Sequence, residues 1–366
     1  MKRFGPVWKI AAAAAALVTL RLLIIWAVVA HDHAGDLCQW DCHWYMRVVR
    51  GGYNLAPILV RGHWQGSWAF FPAFPLAAAG IARLSGLSAV TSGMVVSTLA
   101  LLGFLVVGAV YRMQTRTGTG PALWLLVAIT WPYGLYYTVP YTESLYAFLT
   151  TVCLLGLTNR RVWVFAGASG VLTATRPTGV LLAAWFGAQH LWTAMRSRNG
   201  LLFVRHLPAM LLSVAGLVAF MAYLWLRMGD ALAFMHIQSS WGHSLRNPFS
   251  VVWDAASSID LQGHHVGLFY NAAWAVIGCA ATLFLVRRGR GVEAWVLGAT
   301  VFSALASGVV WSMPRYVGAN PVFLFVVADL VEAIPSRLIR SALVTILGGI
   351  QIVFLRAWLH EAAFLM

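Results

Sequence analysis

The sequence is poor in charge. Only 10% of its 366 residues are Asp, Glu, Lys or Arg, against roughly 25% in a soluble globular chain. So little polar surface cannot solvate a globule of this length, which excludes a water-soluble fold. Lysine is nearly missing: Lys2 and Lys9 stand against 23 arginines. Cysteine is confined to Cys38, Cys42, Cys153 and Cys279, without zinc-site spacing. Cys38 and Cys42 lie four apart, as on one helix face, but disulfide geometry is demanding. The expectation is free thiols. No P-loop, no dinucleotide glycine fingerprint and no zinc-protease motif occurs, which argues against nucleotide-driven chemistry.

Apolar sequence is abundant. The chain is 60% hydrophobic, with a mean hydropathy of +0.77. A membrane span needs about 20 apolar residues, and such stretches recur. The pattern predicts an all-α, polytopic transmembrane helical protein forming one domain over 1–366. Eleven spans are expected near 8–30, 88–111, 121–138, 142–157, 162–175, 178–195, 207–228, 266–286, 292–311, 315–333 and 341–359. The stretch 68–83 is apolar but short and holds Pro72 and Pro75, so it reads as a short or re-entrant segment. The basic N-terminus resembles a signal peptide, but its apolar run is long and HDHAGD is a poor cleavage site. It reads as an uncleaved first span.

The net charge of +14 does not indicate nucleic acid, because the basic residues are scattered between spans. Lys2, Arg3 and Lys9, then Arg112 and Arg116, Arg160 and Arg161, Arg196, Arg198 and Arg205, Arg287, Arg288 and Arg290, and Arg337 and Arg340 form six clusters. All six fall on one side if eleven spans cross, which is the positive-inside pattern. The N-terminus is then cytoplasmic in a multi-pass cell-membrane protein. The opposite face receives a first large loop, 31–67, and a second, 229–265. It also receives Asp32, Asp36, Asp41, Glu143, Asp230, Asp254, Asp260 and Glu361, eight of the eleven acidic residues. Candidate chemistry therefore gathers on the non-cytoplasmic face.

The first loop is the richest. Residues 37–49 have helical spacing, with Trp40, Trp44 and Val48 on one face and Gly51–Gly52 at the end. An aromatic amphipathic helix after a span lies in the interface. Asp41 would sit at headgroup depth, placed to act as general base on a hydroxyl; its structural alternative is pairing with Arg47 or capping a turn. Asp36 competes for that role, although its spacing reads as the helix N-cap. His31, Asp32 and His33, like His264 and His265, read as solvated interfacial residues rather than a metal site. Glu143 falls in the first turn of a predicted helix, where the dipole favours a carboxylate. Arg176 in ATRPTG and Arg315 in SMPRYVG sit beside prolines at outer span ends. Buried guanidinium needs an anion, either a phosphate or a carboxylate. Arg21 and Arg356 lie nearer span interiors, with no account from sequence.

Five segments taken together carry a resemblance: WDCHWY with GGY (Trp40–Tyr53), AFFPAFPL (Ala69–Leu76), PYTESLYAFLT (Pro140–Thr150), TATRPTGVLLA (Thr173–Ala183) and MPRYVGANPVF (Met313–Phe323). In order and over most of the chain, they resemble the PIG-V family, the second mannosyltransferases of glycosylphosphatidylinositol assembly and their bacterial relatives. The resemblance implies a GT-C type fold and an inverting hexosyl transfer. It implies a polyprenyl-phosphate mannose donor, a lipid or glycan acceptor, and contact with membrane lipid. It favours Asp41 over Asp36 as base and implies roles for Glu143 and Arg176. From its place on the same face, Arg315 is expected to join Arg176 as a phosphate ligand. Trp40, His43, Trp44, Tyr53, Phe71, Pro72, Tyr141 and Tyr316 are the expected pocket residues. Histidine stands at His43, whereas eukaryotic members carry it where this chain has Trp44. No metal cofactor is required, although a divalent ion bridging the phosphate is compatible. The rival readings are a transporter or flippase for a lipid-linked sugar, and a non-catalytic subunit of a membrane glycosyltransferase.

Overall fold

A computed structural model describes residues 7–32, 36–60, 62–116, 120–258 and 266–365. Lys2, Arg3, His33, Asp260, His264 and His265 lie outside the described residues. The fold is all-α apart from one hairpin. Helix α1 (Val7–Asp32) leads into the first large loop. That loop holds α2 (Asp41–Gly51) and an antiparallel hairpin of β1 (Ile58–Val60) and β2 (His63–Gln65), paired Ile58 to Gln65 and Val60 to His63. Next come α3 (Ala73–Ser85), α4 (Ala89–Thr115), α5 (Pro121–Thr130), α6 (Glu143–Thr158), α7 (Val162–Thr173), α8 (Val180–Arg196) and α9 (Gly200–Met228). The second large loop contains α10 (Ala233–His236) and α11 (Pro248–Ser257). The chain then forms α12 (Val266–Arg287), α13 (Gly291–Ala306), α14 (Met313–Gly318), α15 (Pro321–Glu332) and α16 (Arg337–Leu359).

All eleven expected spans contain helix, but several are shorter than their apolar runs. Five described helices are long and apolar enough to cross a membrane: α1, α4, α9 (over Phe203–Met228), α12 and α16. The run 121–138 stops as α-helix at Thr130, because Pro132 withdraws a donor, and continues as a 3-10 segment, Pro132–Tyr137. The run 315–333 divides before Pro321, and 292–311 ends as helix at Ala306. Helix α3, with 13 residues, is about 20 Å long, short of the roughly 30 Å hydrocarbon layer. That length suits the expected short segment.

Helix α1 turns Ile10, Ala14, Val18, Arg21 and Ile25 inward, a stripe of three- and four-residue steps. Where α7 meets α9, glycines let the backbones touch: a Cβ on Gly216 would lie 2.2 Å from the Gly170 carbonyl oxygen. Small residues at such crossings provide the packing that binds helices in lipid.

Helix α4 separates two polar clusters. Near its start, a Cβ on Gly93 would meet Pro140 and Met46, close in sequence to Glu143 and Asp41. Arg112 follows about 28 Å along the axis. There Arg112 donates to Asp329 (2.5 Å) and Glu332 (2.9 Å), and Arg116 to Glu293 (3.0 Å) and Asp329 (3.1 Å). Arg290 also pairs with Asp329. This second cluster takes Glu293, Asp329 and Glu332, and it ties α4, α13 and α15 together.

Candidate functional site

The first cluster, near the start of α4, draws on four distant segments. Asp41 opens α2 and Glu143 opens α6, so each carboxylate lies in a first turn, where the dipole stabilises negative charge. Arg176 precedes Pro177 at the break between α7 and α8, and Arg315 follows Pro314 in α14. Arg315 Nη1 donates to Asp41 Oδ2 at 2.7 Å, and Arg176 Nη1 donates to Glu143 Oε1 at 2.9 Å. Arg315 Nε lies 3.5 Å from the same Glu143 oxygen. The four groups thus form one chain of alternating charge: Asp41, Arg315, Glu143, Arg176.

Burial is graded along that chain. The Glu143 side chain is 2% exposed, Arg315 9%, Arg176 16% and Asp41 32%. Asp41 is therefore the carboxylate that an incoming molecule meets first. Glu143 Oε2 and Arg315 Nε are buried without a hydrogen-bond partner among the described residues. Buried polar groups are normally satisfied, so these two mark open hydrogen-bonding capacity inside the site. Burial works against the charge on Arg176, but Glu143 leads the opposing influences, and its pKa stands above the ordinary arginine value.

Aromatic rings hold the guanidinium groups. Tyr316 lies between them, 5.5 Å from Arg176 and 5.6 Å from Arg315, and Arg315 is also 5.5 Å from the Tyr141 ring. These are cation–π distances. The Tyr141 hydroxyl donates to the Gln39 carbonyl (2.9 Å) and accepts from the Asp41 amide (3.2 Å). Burial raises the Tyr141 pKa well above that of free tyrosine, with Asp41 the next cause, so this hydroxyl stays protonated. Burial and the same carboxylate likewise raise Tyr45.

The turn before Asp41 is tightly specified. Trp40 has φ of 44° and Ser312, ahead of Arg315, has φ of 67°. Such conformations cost a non-glycine residue about 1–3 kcal/mol. The Trp40 ring packs on Trp358 of α16 at 4.7 Å. Cys38 and Cys42 form a disulfide that brackets Trp40 and Asp41, with Cα atoms 5.1 Å apart. This corrects the free-thiol expectation: four-residue spacing suffices because the chain turns at Trp40 before α2 begins. Asp36 is not the N-cap of α2, which is Trp40 without a side-chain bond. Asp36 instead accepts from the Cys38 amide (2.8 Å), one turn earlier in the chain.

The other expected pocket residues divide. Trp44 stacks on Phe70 at 5.7 Å, and Trp241 of the second large loop meets both edge-on. Tyr53 donates to the Phe70 carbonyl (2.7 Å). Pro72 sits at the start of α3, and the Ala73 amide donates to Ala174 (2.8 Å), two residues before Arg176. Phe71 points elsewhere, into a second core with Phe220 and Phe234. His43 is exposed, with Nδ1 4.0 Å from Cys38 Sγ. Asp32 is held by His360 (2.9 Å) and Arg356 (3.5 Å), which accounts for Arg356 as a local ion pair. Trp241, Trp358 and Tyr45 were not singled out from sequence. Nothing separates them there from any other interfacial aromatic residue.

The fold and cluster define a polytopic all-α protein with a two-carboxylate, two-arginine centre. No family model matches the chain, so the PIG-V-like motifs stand on the residues alone, and no curated protein matches it. Among solved structures the chain is similar to the crystal structure of ArnT from Cupriavidus metallidurans in the apo state. That likeness has a TM-score of 0.36 and 12% identity, and it covers 85% of this chain and 77% of that one.

Proposed function

We propose that this protein is an inverting GT-C type glycosyltransferase of PIG-V-like kind. It moves mannose from a polyprenyl-phosphate-linked donor to a lipid or glycan acceptor on the non-cytoplasmic face. The observation that carries this reading is the Asp41–Arg315–Glu143–Arg176 chain. It offers a part-exposed base beside one buried and one largely buried cation. The acceptor hydroxyl oxygen attacks the anomeric carbon, and Asp41 takes the hydroxyl proton. The bond from that carbon to the phosphate oxygen breaks, and its electron pair leaves with the polyprenyl phosphate. Arg315 and Arg176 each spend Nη1 on a carboxylate while Nη2 bonds to no described residue. Those remaining donors are suited to the departing phosphate, where charge develops. Glu143 keeps both guanidinium groups in register and offers Oε2 to a sugar hydroxyl. No metal is needed, because the phosphate leaves as a stabilised anion.

The disulfide supports the orientation. Disulfides persist in oxidising compartments, and Cys38–Cys42 flanks the proposed base. The cytoplasmic assignment of the six basic clusters agrees with it. The test is transfer by purified protein in detergent, with radiolabelled mannosyl phosphoryl polyprenol as donor and a membrane lipid extract supplying acceptors. Labelled product with inverted anomeric configuration supports the reading. Donor binding without any product overturns it.

A further inference from the structure

Arg21 is a cation near the middle of a span. It lies about 21 Å along α1 from Val7 and about 16 Å from Asp32. It is 5% exposed, and it forms no ion pair with a carboxylate among the described residues. A charge there is expensive unless it serves a function. Its hydrogen bonds go to two backbone carbonyls, Ile129 (3.1 Å from Nη1) and Gly134 (to Nη2). These flank the point where α5 gives way to the 3-10 segment Pro132–Tyr137. Gln351 of α16 donates to the carbonyl between them, Trp131. Unwound backbone within a membrane must find such donors from neighbouring helices.

Gly134 makes that approach feasible. A Cβ there would lie 3.0 Å from Gln351 Nε2 and 3.2 Å from Arg21 Nη1. The unwound segment also reaches the site. Trp131 Nε1 donates to Gly318 (2.7 Å), and the Tyr137 hydroxyl donates to Ala319 (2.8 Å). Those acceptors lie at the end of α14, the helix that carries Arg315. At the segment's far end, Ser97 donates to the Val139 carbonyl (2.9 Å). Tyr141 and Glu143 follow directly.

We infer that Arg21 is a positioning residue for the transfer site: with Gln351, it holds residues 131–142 unwound and so sets Tyr141 and Glu143 against Asp41 and Arg315. The inference rests on the glycosyltransferase reading above. The variants are Arg21→Met, Arg21→Lys and Gly134→Ala, each measured for transfer and for hydrogen–deuterium exchange of peptides covering 131–142.

In Arg21→Met, exchange in 131–142 rises and kcat falls about 100-fold, the effect of misplacing a reacting group by an ångström. Donor KM rises by much less than kcat falls, because no side chain assigned to the donor is itself removed. Arg21→Lys recovers much of kcat by donating to one carbonyl. If Arg21→Met does not fold, Gly134→Ala makes the same test, with raised exchange and lowered kcat expected. Unchanged exchange in a folded variant, or wild-type kcat per folded molecule with only yield reduced, overturns the inference. The exchange measurement needs no substrate. Raised exchange beside a wild type that transfers nothing would retain the positioning role and remove the transferase reading.

Discussion

Asp41 and Arg315 stand 274 residues apart in sequence, yet their side chains meet at 2.7 Å. One end of the pair is open to entering molecules and the other is buried, since Asp41 is 32% exposed and Arg315 9%. A half-open ion pair suits chemistry better than stability: the exposed partner can exchange its cation for a proton while the cation turns to a new anion.

Glu143 is the deepest charge of the site, and Arg176 holds it at 2.9 Å. Arg176→Gln leaves a buried carboxylate with less compensation. Removing one partner of such a pair costs about 3–5 kcal/mol. The expected result is a lowered Tm together with loss of donor binding. The double variant Arg176→Gln/Glu143→Gln is expected to regain much of the stability and none of the activity. Thermal unfolding in detergent and donor titration check both. Equal Tm values for the single variant and the wild type would contradict the pairing.

The Cys38–Cys42 bond predicts a thiol count. Under denaturing, non-reducing conditions two cysteines, Cys153 and Cys279, are alkylated, and after reduction all four are. Reduction of the intact protein is expected to lower transfer, because the tight turn holding Asp41 then relaxes. The variant Cys38→Ser/Cys42→Ser should show the same reduced rate and no response to reductant. Four alkylated cysteines without reduction would contradict the disulfide.

The Arg112–Asp329 cluster is expected to act on stability alone. Arg112 is 3% exposed in its ion pair with Asp329. Arg112→Gln should destabilise by about 3–5 kcal/mol, as expected for breaking a buried pair. Transfer per folded molecule should not change, because the site lies at the other end of α4. A lowered kcat at full folding would show coupling between the two ends.

Much of this site was legible because its residues obey local rules. Glu143 lies in a first helical turn, and Arg176 and Arg315 sit beside prolines that end or begin helices. Those signals are short-range and survive in sequence. The pairing of Arg315 with Asp41 is tertiary, and the arginines alone left open whether the anion was a phosphate or a carboxylate. The structure supplies carboxylates, with donors left over. The helix breaks were half legible. Pro132 and Pro321 stand inside apolar runs that hydropathy averages into continuous spans. Arg21 had no account until the carbonyls freed by the first of those breaks were found beside it. Phe71 shows the opposite limit, since a shared motif with Phe70 does not decide which ring packs on Trp44 and which fills the core with Phe220 and Phe234.

The most direct test of the central claim is the rate of sugar transfer by Asp41→Asn beside wild type, with Asp36→Asn as the internal control and donor binding measured on all three. The account predicts that Asp41→Asn folds, still binds mannosyl phosphoryl polyprenol, and transfers about 100- to 10,000-fold more slowly, the range typical of losing a general base. Asp36→Asn should transfer close to the wild-type rate. A folded Asp41→Asn protein that transfers as fast as wild type would contradict the account.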